Sequence, residues 1–324
     1  MATEQDWQFP QELQPKPGDV GFDLDSALSS MVGLRAEVPS DAFTAQVLGT
    51  ERSGNGVVIR ADGLILTIGY LITEASTIWL TTHDGRAVAG YPLAIDGATG
   101  FGLVQALGQL EVPAIRRGSA KAVAPGDRAI LAGHGGRGHA LTAQILAKRE
   151  FAGYWEYLLD EAIFTAPAHP HWGGAALLDG TGALVGIGSL LVEEHLGDQE
   201  VQGNMVVPID LLEPILDDLL TYGRANRPAR PWLGLYATEI KNHVAIAGLA
   251  PGGPAEKAKL ETGDVVLAVA DAPVASLAEM FRRIWRCGPA GVEVPLTVAR
   301  EGGIVQAKVR SADRAQFLKK PKLH

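Results

Sequence analysis

Asp-Gly pairs set between short apolar runs constrain this chain more than any other feature. Asp62-Gly63, Asp84-Gly85 and Asp179-Gly180 supply residues that tolerate the positive φ of tight hairpin turns. The apolar runs lie at 56–59, 64–67, 77–80, 128–131 and 183–187. Many short strands at even spacing predict barrels or sandwiches, not βαβ units.

Further along, the periodicity changes. Leu211, Leu212, Ile215, Leu216, Leu219 and Leu220 recur at helical spacing, and Gly223 stops the run, which predicts a helix over 209–220. The stretch 224–231 holds two prolines and three arginines with no apolar core residue, and reads as a linker. Beyond it comes a second unit. A strand and loop lead to a short helix at 254–259 and a strand at 265–269. Ser276-Leu277-Ala278-Glu279 then forms a capping box, in which the serine accepts an amide of the first turn and the glutamate reaches back. Leu277, Met280, Phe281 and Ile284 make one apolar stripe on that helix. Strands at 292–299 and 304–309, joined by Glu301-Gly302-Gly303, close the unit. The organisation expected is an N-terminal extension 1–40, a β domain 41–223, a linker 224–231, a second domain 232–312 and a tail 313–324.

Charge excludes some function classes. Lys and Arg number 28 against 37 Asp and Glu, for a net charge of −9. With no long basic run, no nucleic-acid partner is expected. Residues 1–25 lack the basic and apolar regions of a signal peptide. No stretch reaches the roughly 18–20 apolar residues of a membrane helix. A cytoplasmic location is expected, or a periplasmic one if a leader was removed. Cys287 is the single cysteine, so it forms no intrachain disulfide and is expected to pack among apolar neighbours. No cofactor is expected.

From about residue 53 to 309 the order of motifs resembles the HtrA (Deg) family. Ser53-Gly54-Asn55-Gly56-Val57-Val58-Ile59 followed by Asp62-Gly63-Leu64-Ile65-Leu66-Thr67 is similar to the family's first hairpin. His83-Asp84-Gly85-Arg86 resembles its next turn, and Leu141-Thr142-Ala143-Gln144-Ile145 the start of its second barrel. Pro231-Trp232-Leu233-Gly234-Leu235 resembles a PDZ carboxylate-binding loop, and Gly263-Asp264-Val265-Val266 a later PDZ signature. The resemblance implies a mainly β fold, a chymotrypsin-like double β-barrel followed by a PDZ domain built of β-strands and two helices.

The same resemblance locates the family's His, Asp and Ser. Leu66-Thr67-Ile68-Gly69-Tyr70 puts Tyr70 at the histidine position, and Asp96-Gly97-Ala98-Thr99-Gly100 puts Gly100 at the aspartate. His171-Trp172-Gly173-Gly174-Ala175-Ala176-Leu177 puts Gly173 at the serine, or Trp172 if the register slides by one. Hydrolysis by that mechanism needs a hydroxyl, a base of suitable pKa and a group that orients the base. A phenol is a poor base near neutral pH, and glycine offers no side chain.

The leading expectation is a catalytically inactive HtrA-like adaptor, scaffold or holdase, with Trp172 and Tyr70 filling the cleft. The alternative is an active serine-type endopeptidase with displaced or non-standard catalytic residues. A third reading is a metal-binding pseudoprotease, with His169 and His171 as ligands and His134 and His139 on a neighbouring loop. Glu193, Glu194 and Asp198 near His195 fall in 192–204, read as a solvated surface loop. The partner class is protein or peptide C-termini. Trp232, Leu233, Gly234 and Leu235 would hold the carboxylate, and Leu277, Met280, Phe281 and Ile284 would line or support the groove. The family resemblance also implies a homo-oligomer, a trimer, for which the Trp7 and Phe9 region is the candidate contact.

Overall fold

The structure, a computed structural model, describes residues 7–196 and 199–320. The first barrel contains α1 (Leu24–Ser29), β1 (Met31–Glu37), α2 (Ala45–Leu48), β2 (Glu51–Arg60), β3 (Leu64–Ile68), α3 (Gly69–Ile72), β4 (Thr77–Thr81), β5 (Ala87–Ile95) and β6 (Phe101–Ala106). Its strands close in the order β1-β2-β3-β6-β5-β4. β1 pairs with both β2 and β4, Met31 opposite Val57 and Leu34 opposite Leu80. The barrel therefore begins at Met31, inside the stretch read as an N-terminal extension. Leu34 and Ala36 point into it while Arg35 and Glu37 are exposed, the alternation of a strand with one wet face. Asp62-Gly63 and Asp84-Gly85 turn the chain between neighbouring strands as expected, with Gly63 at φ +82° and Gly85 at φ +83°.

The second barrel is built from β7 (Arg128–Ala132), β8 (Ala140–Gly153), β9 (Tyr157–Ala166), β10 (Ala176–Leu178), β11 (Leu184–Leu196) and β12 (Gln199–Pro208), closed in the order β10-β11-β12-β9-β8-β7. Closure gives each strand of either barrel a neighbour on both sides, which removes the exposed edge of an open sheet. At Asp179-Gly180 the left-handed residue is Gly182, φ +76°. Asp179 Oδ1 instead accepts from the amides of Thr181 and Ala183.

Two expectations change here. The stretch 192–204 is not a loop. It forms the arms of the β11–β12 hairpin, where Glu194 is buried and pairs with Arg149 at 2.6 Å; Asp198 lies outside the described residues. The helix over 209–220 is broken into a 3₁₀ turn at Ile209–Leu211 and α4 (Leu216–Tyr222), capped by Gly223 at φ +69°. Pro214 lies between them, and its ring has no N–H to continue a helix.

The chain divides into two compact units. One takes the chain up to Arg149 together with Glu161–Asn226, and holds both barrels. The other takes Glu150–Asp160 and Arg227–Lys319. The second unit is thus wider than the 232–312 read from sequence, because the outer end of the β8–β9 hairpin belongs with it. Its sheet runs β13 (Leu235–Ile240), β14 (His243–Leu249), β15 (Val265–Val269), β17 (Glu293–Arg300), β18 (Gly303–Arg310), with β16 (Ala272–Pro273) on β15. Two helices complete it, α5 (Pro254–Lys257) and α6 (Leu277–Arg286). The α6 cap forms as its sequence dictates: Ser276 Oγ accepts from Glu279 N at 3.1 Å, and Glu279 reaches back to Ala275 N at 2.9 Å. Cys287 ends this helix half-buried beside the Arg283 carbonyl. Among the described residues no helix is long and apolar enough to cross a membrane.

Candidate functional site

Tyr70 rides on α3, directly after β3, and Gly173 lies in the loop leading to β10. The fold brings them together: a side chain at Gly173 would begin 2.9 Å from Tyr70 Oη. The Tyr70 hydroxyl donates to Ser189 O at 2.8 Å and is hydrogen-bonded by the Trp172 side chain. Burial pushes its pKa well above the ordinary phenol value, so the group stays neutral. Gly100 sits in the turn between β5 and β6 at φ +84°, where its carbonyl accepts from Gly69 N at 2.7 Å. That bond ties the Gly100 turn to the start of α3. Tyr70, Gly100 and Gly173 therefore converge, and none of the three offers a nucleophile or a base at neutral pH.

Two residues that the sequence reading did not single out hold this arrangement. Arg52, buried on β2, donates to Tyr70 O at 2.7 Å and Thr73 O at 2.9 Å, which caps the carbonyl end of α3. It also reaches Thr44 Oγ1, which in turn donates to Glu74. Asn55 stitches the loops of the second barrel to β2. Its amide and side chain donate to Gly173 O at 2.7 and 3.3 Å and to His171 O at 2.8 Å, and its Oδ1 accepts from His134 N at 2.8 Å. The packing is tight. A Cβ at Gly54 would meet Gly173 O at 2.7 Å, and one at Gly188 would meet Trp172 O at 2.3 Å.

His169 is 1% exposed, and both of its ring nitrogens are in use. Nε2 bonds the His139 carbonyl at 3.0 Å and so carries the proton; Nδ1 accepts from His171 N at 3.1 Å. This neutral tautomer is the one that burial favours, and burial lowers the His169 pKa to about 4. The cleft-loop amide of His171 is thereby consumed inside the loop. His171 lies at the surface, its ring centroid 6.4 Å from that of His169. His134 bonds the Thr82 carbonyl through Nε2. Among the described residues no group of three or more His, Cys, Asp or Glu is arranged to hold a metal. Trp7 and Phe9 pack edge-on to each other, Trp7 against His139 and His171 and Phe9 against His169. A hollow of about 500 Å³ on this unit is lined by Arg117, Gly118, Ile209, Asp210, Glu213 and Pro214, none of them a cleft residue named above.

In the second unit the predicted carboxylate loop has the expected form. Gly234 at φ +77° turns successive amides toward one point. That point is filled by the carboxylate of Glu156. Its Oε1 accepts from Leu233 N at 3.1 Å, Gly234 N at 2.7 Å and Leu235 N at 2.9 Å, and its Oε2 from Leu233 N at 3.1 Å. Trp232 is buried beside the loop, edge-on to Phe317 at 4.8 Å. Leu277, Met280, Phe281 and Ile284 are all buried in the core of this unit, in one cluster with Leu158 of the hairpin. Glu156 escaped the sequence reading because a polar residue near a turn reads as solvated. The crowding of Tyr154, Trp155 and Tyr157 around it is the signal that marks it out.

A trypsin-like peptidase domain model matches residues 54–187, and a PDZ domain model matches residues 231–310. The serine protease Do-like HtrA of Bacillus subtilis is 22% identical over 93% of this chain and 74% of its own length. The periplasmic serine endoprotease DegP of Escherichia coli is 23% identical over 81% of this chain and 57% of its own. The periplasmic pH-dependent serine endoprotease DegQ of the same organism is 26% identical over 80% and 59%. The chain spans less than two thirds of the length of these last two. Among solved structures, an HtrA-type protease, AlgW with a tripeptide, matches with a TM-score of 0.52 at 19% identity, over 93% of this chain and 99% of the other. The serine endoprotease from Yersinia pestis matches at 0.51 and 19%, over 91% and 99%.

Proposed function

This chain is an HtrA-like protein, a trypsin-like peptidase domain followed by a PDZ domain, and on that footing we propose that it holds polypeptides rather than cutting them. The carrying observation is that Tyr70 Oη stands 2.9 Å from where a Gly173 side chain would begin. A nucleophile there has neither an atom to act nor room to be placed. Acyl transfer also needs donors preorganised for the oxyanion, and the His171 amide is bonded to His169 instead. The PDZ unit supplies the holding chemistry: convergent amides for a terminal carboxylate, and the outer edge of β13 for an added strand. A trimer, implied by the family resemblance, belongs to the same proposal and is tested by analytical ultracentrifugation.

The purified protein is expected to leave casein intact and to resist fluorophosphonate probes. Stoichiometric labelling that depends on one serine overturns the reading. The relatives' names favour a second reading, an endopeptidase with a displaced nucleophile. Mapping a labelled serine to a position other than 173 would establish it.

A further inference from the structure

The end of the β8–β9 hairpin presents itself to the rest of the second unit as a chain terminus would. The Glu156 carboxylate takes the amides of Leu233, Gly234 and Leu235. Two residues earlier, the Tyr154 carbonyl accepts from Ala237 N at 2.9 Å. Ala237 lies on β13, the end strand of its sheet, which pairs with β14 on its other side. An extended peptide with its carboxylate in the loop would seek this same pair of donor sets, the loop amides and the outer edge of β13. Glu156 supplies the acid from a side chain, and Tyr154 supplies the strand-edge acceptor.

The hairpin is shaped for this role by its own side chains. Trp155 stacks on Tyr157 with centroids 5.5 Å apart and planes 12° from parallel. Its ring also covers Gly153, where a Cβ would stand 2.8 Å away. Leu158 enters the core of the second unit. Arg282 of α6 bonds Glu150 and Asp160 on the two arms of the hairpin, each at 2.5 Å. Glu156 itself sits at φ +62°. That left-handed conformation is disfavoured for a residue with a Cβ, and it persists where surrounding contacts over-determine it.

We infer that Glu156 is a built-in competitor, which fills the carboxylate cradle in cis so that polypeptide C-termini enter only by displacing the hairpin tip. This rests on the peptide-holding reading above and adds the control of that site. A tethered competitor acts at high effective concentration. The apparent Kd for an outside ligand rises by the inverse of the fraction of time the cradle is open. A cradle open about one tenth of the time weakens binding about tenfold by that relation.

The test titrates the full chain with fluorescein-labelled decapeptides ending in Ala, Val, Leu or Phe, each as free acid and as amide, and reads anisotropy. Glu156→Ala should bind the free acids at least about tenfold more tightly than the wild type, with no gain for the amides. Glu156→Gln keeps the side-chain length and an acceptor oxygen but cannot ionise, so at pH 8, where the wild-type tip docks least, it should bind the free acids more weakly than the wild type. It also serves if the alanine variant fails to fold. Equal affinities for wild type and both variants would overturn the competitor while leaving peptide holding intact. A gain of the same size for acids and amides would overturn the carboxylate role. Absence of binding to all three proteins at millimolar peptide would instead bring down the peptide-holding reading itself, and this inference with it.

Discussion

In the barrel cleft a loop amide, that of His171, is taken by an imidazole two residues away. In the PDZ cradle three loop amides are taken by a carboxylate 77 to 79 residues earlier in the chain. The first closure is local and tightly packed. His169, Gly173 and Ser189 are all buried, and the loops touch at distances that admit no added Cβ. Opening it means unpacking the loop. The second closure is a single carboxyl group on a hairpin, held by three backbone amides. The two differ in what can replace the closing group. An imidazole bonded within its own loop has no outside equivalent, whereas every polypeptide carries a terminal carboxylate.

The largest effect should come from attempting to reopen the cleft. Tyr70→His, Gly100→Asp and Gly173→Ser together should still leave kcat on the order of 10²–10³-fold below an active HtrA-type protease, the loss that follows removal of one oxyanion donor. The first substitution removes the Tyr70 hydroxyl from the space that a side chain at position 173 would occupy. The His171 amide nevertheless stays on His169, and the aspartate must adopt φ +84°. Turnover equal to that of an active relative on the same fluorogenic peptide would break the claim that the cleft is closed by its loop.

The two closures should also respond to pH with opposite sign. His169 has its folded pKa lowered to about 4 from 6.5. Between those values the unfolded chain binds a proton that the folded one refuses. The stabilisation is therefore complete above pH 6.5 and is lost as pH falls toward 4, on the order of 3 kcal/mol. Urea unfolding at pH 7.5 and 4.5 should show a difference that shrinks by that amount in His169→Gln; an unchanged difference refutes the tautomer assignment. Glu156 has its pKa raised to about 7 by burial, against the pull of the three amides and Arg314, with Tyr236 also facing it. Docking of the tip is then fullest below pH 4.5 and weakens as pH rises through 7. Hydrogen exchange at the Gly234 amide, corrected for its intrinsic rate, should show protection falling from pH 5 to pH 8. Protection that rises over that range would break the contrast.

The smallest effect concerns one hydroxyl. Tyr70→Phe removes the donor to Ser189 O and the partner of the Trp172 side chain, and should cost about 1–2 kcal/mol in chemical denaturation. No loss would mean that water replaces the phenol and that the cleft is wetter than the cradle.

Much of the fold is legible in the sequence. Asp62-Gly63 and Asp84-Gly85 mark hairpins through the backbone freedom of glycine, and the Ser276 box with its apolar stripe marks α6. Local steric and hydrogen-bonding rules suffice for such features. The pair of arms at 192–204 does not read as strands, because their side chains are largely polar and pairing between arms supplies what side-chain pattern does not. Asn55 and Arg52 carry no local signature of their role either. Each acts by reaching backbone carbonyls that folding alone brings near.

The sequence by itself determined which side chains stand at the three positions aligned with the family's His, Asp and Ser. Tyr70, Gly100 and Gly173 contain no nucleophile and no base, wherever they lie. It determined too that Trp232-Leu233-Gly234-Leu235 could turn amides toward an anion, because Gly234 accepts a positive φ. Only the tertiary structure decided which acceptor each of those amides meets. A buried N–H must find a partner, and its partner need not be near it in the chain, so the pairing of His171 with His169 and of the PDZ loop with Glu156 follows from the assembled fold.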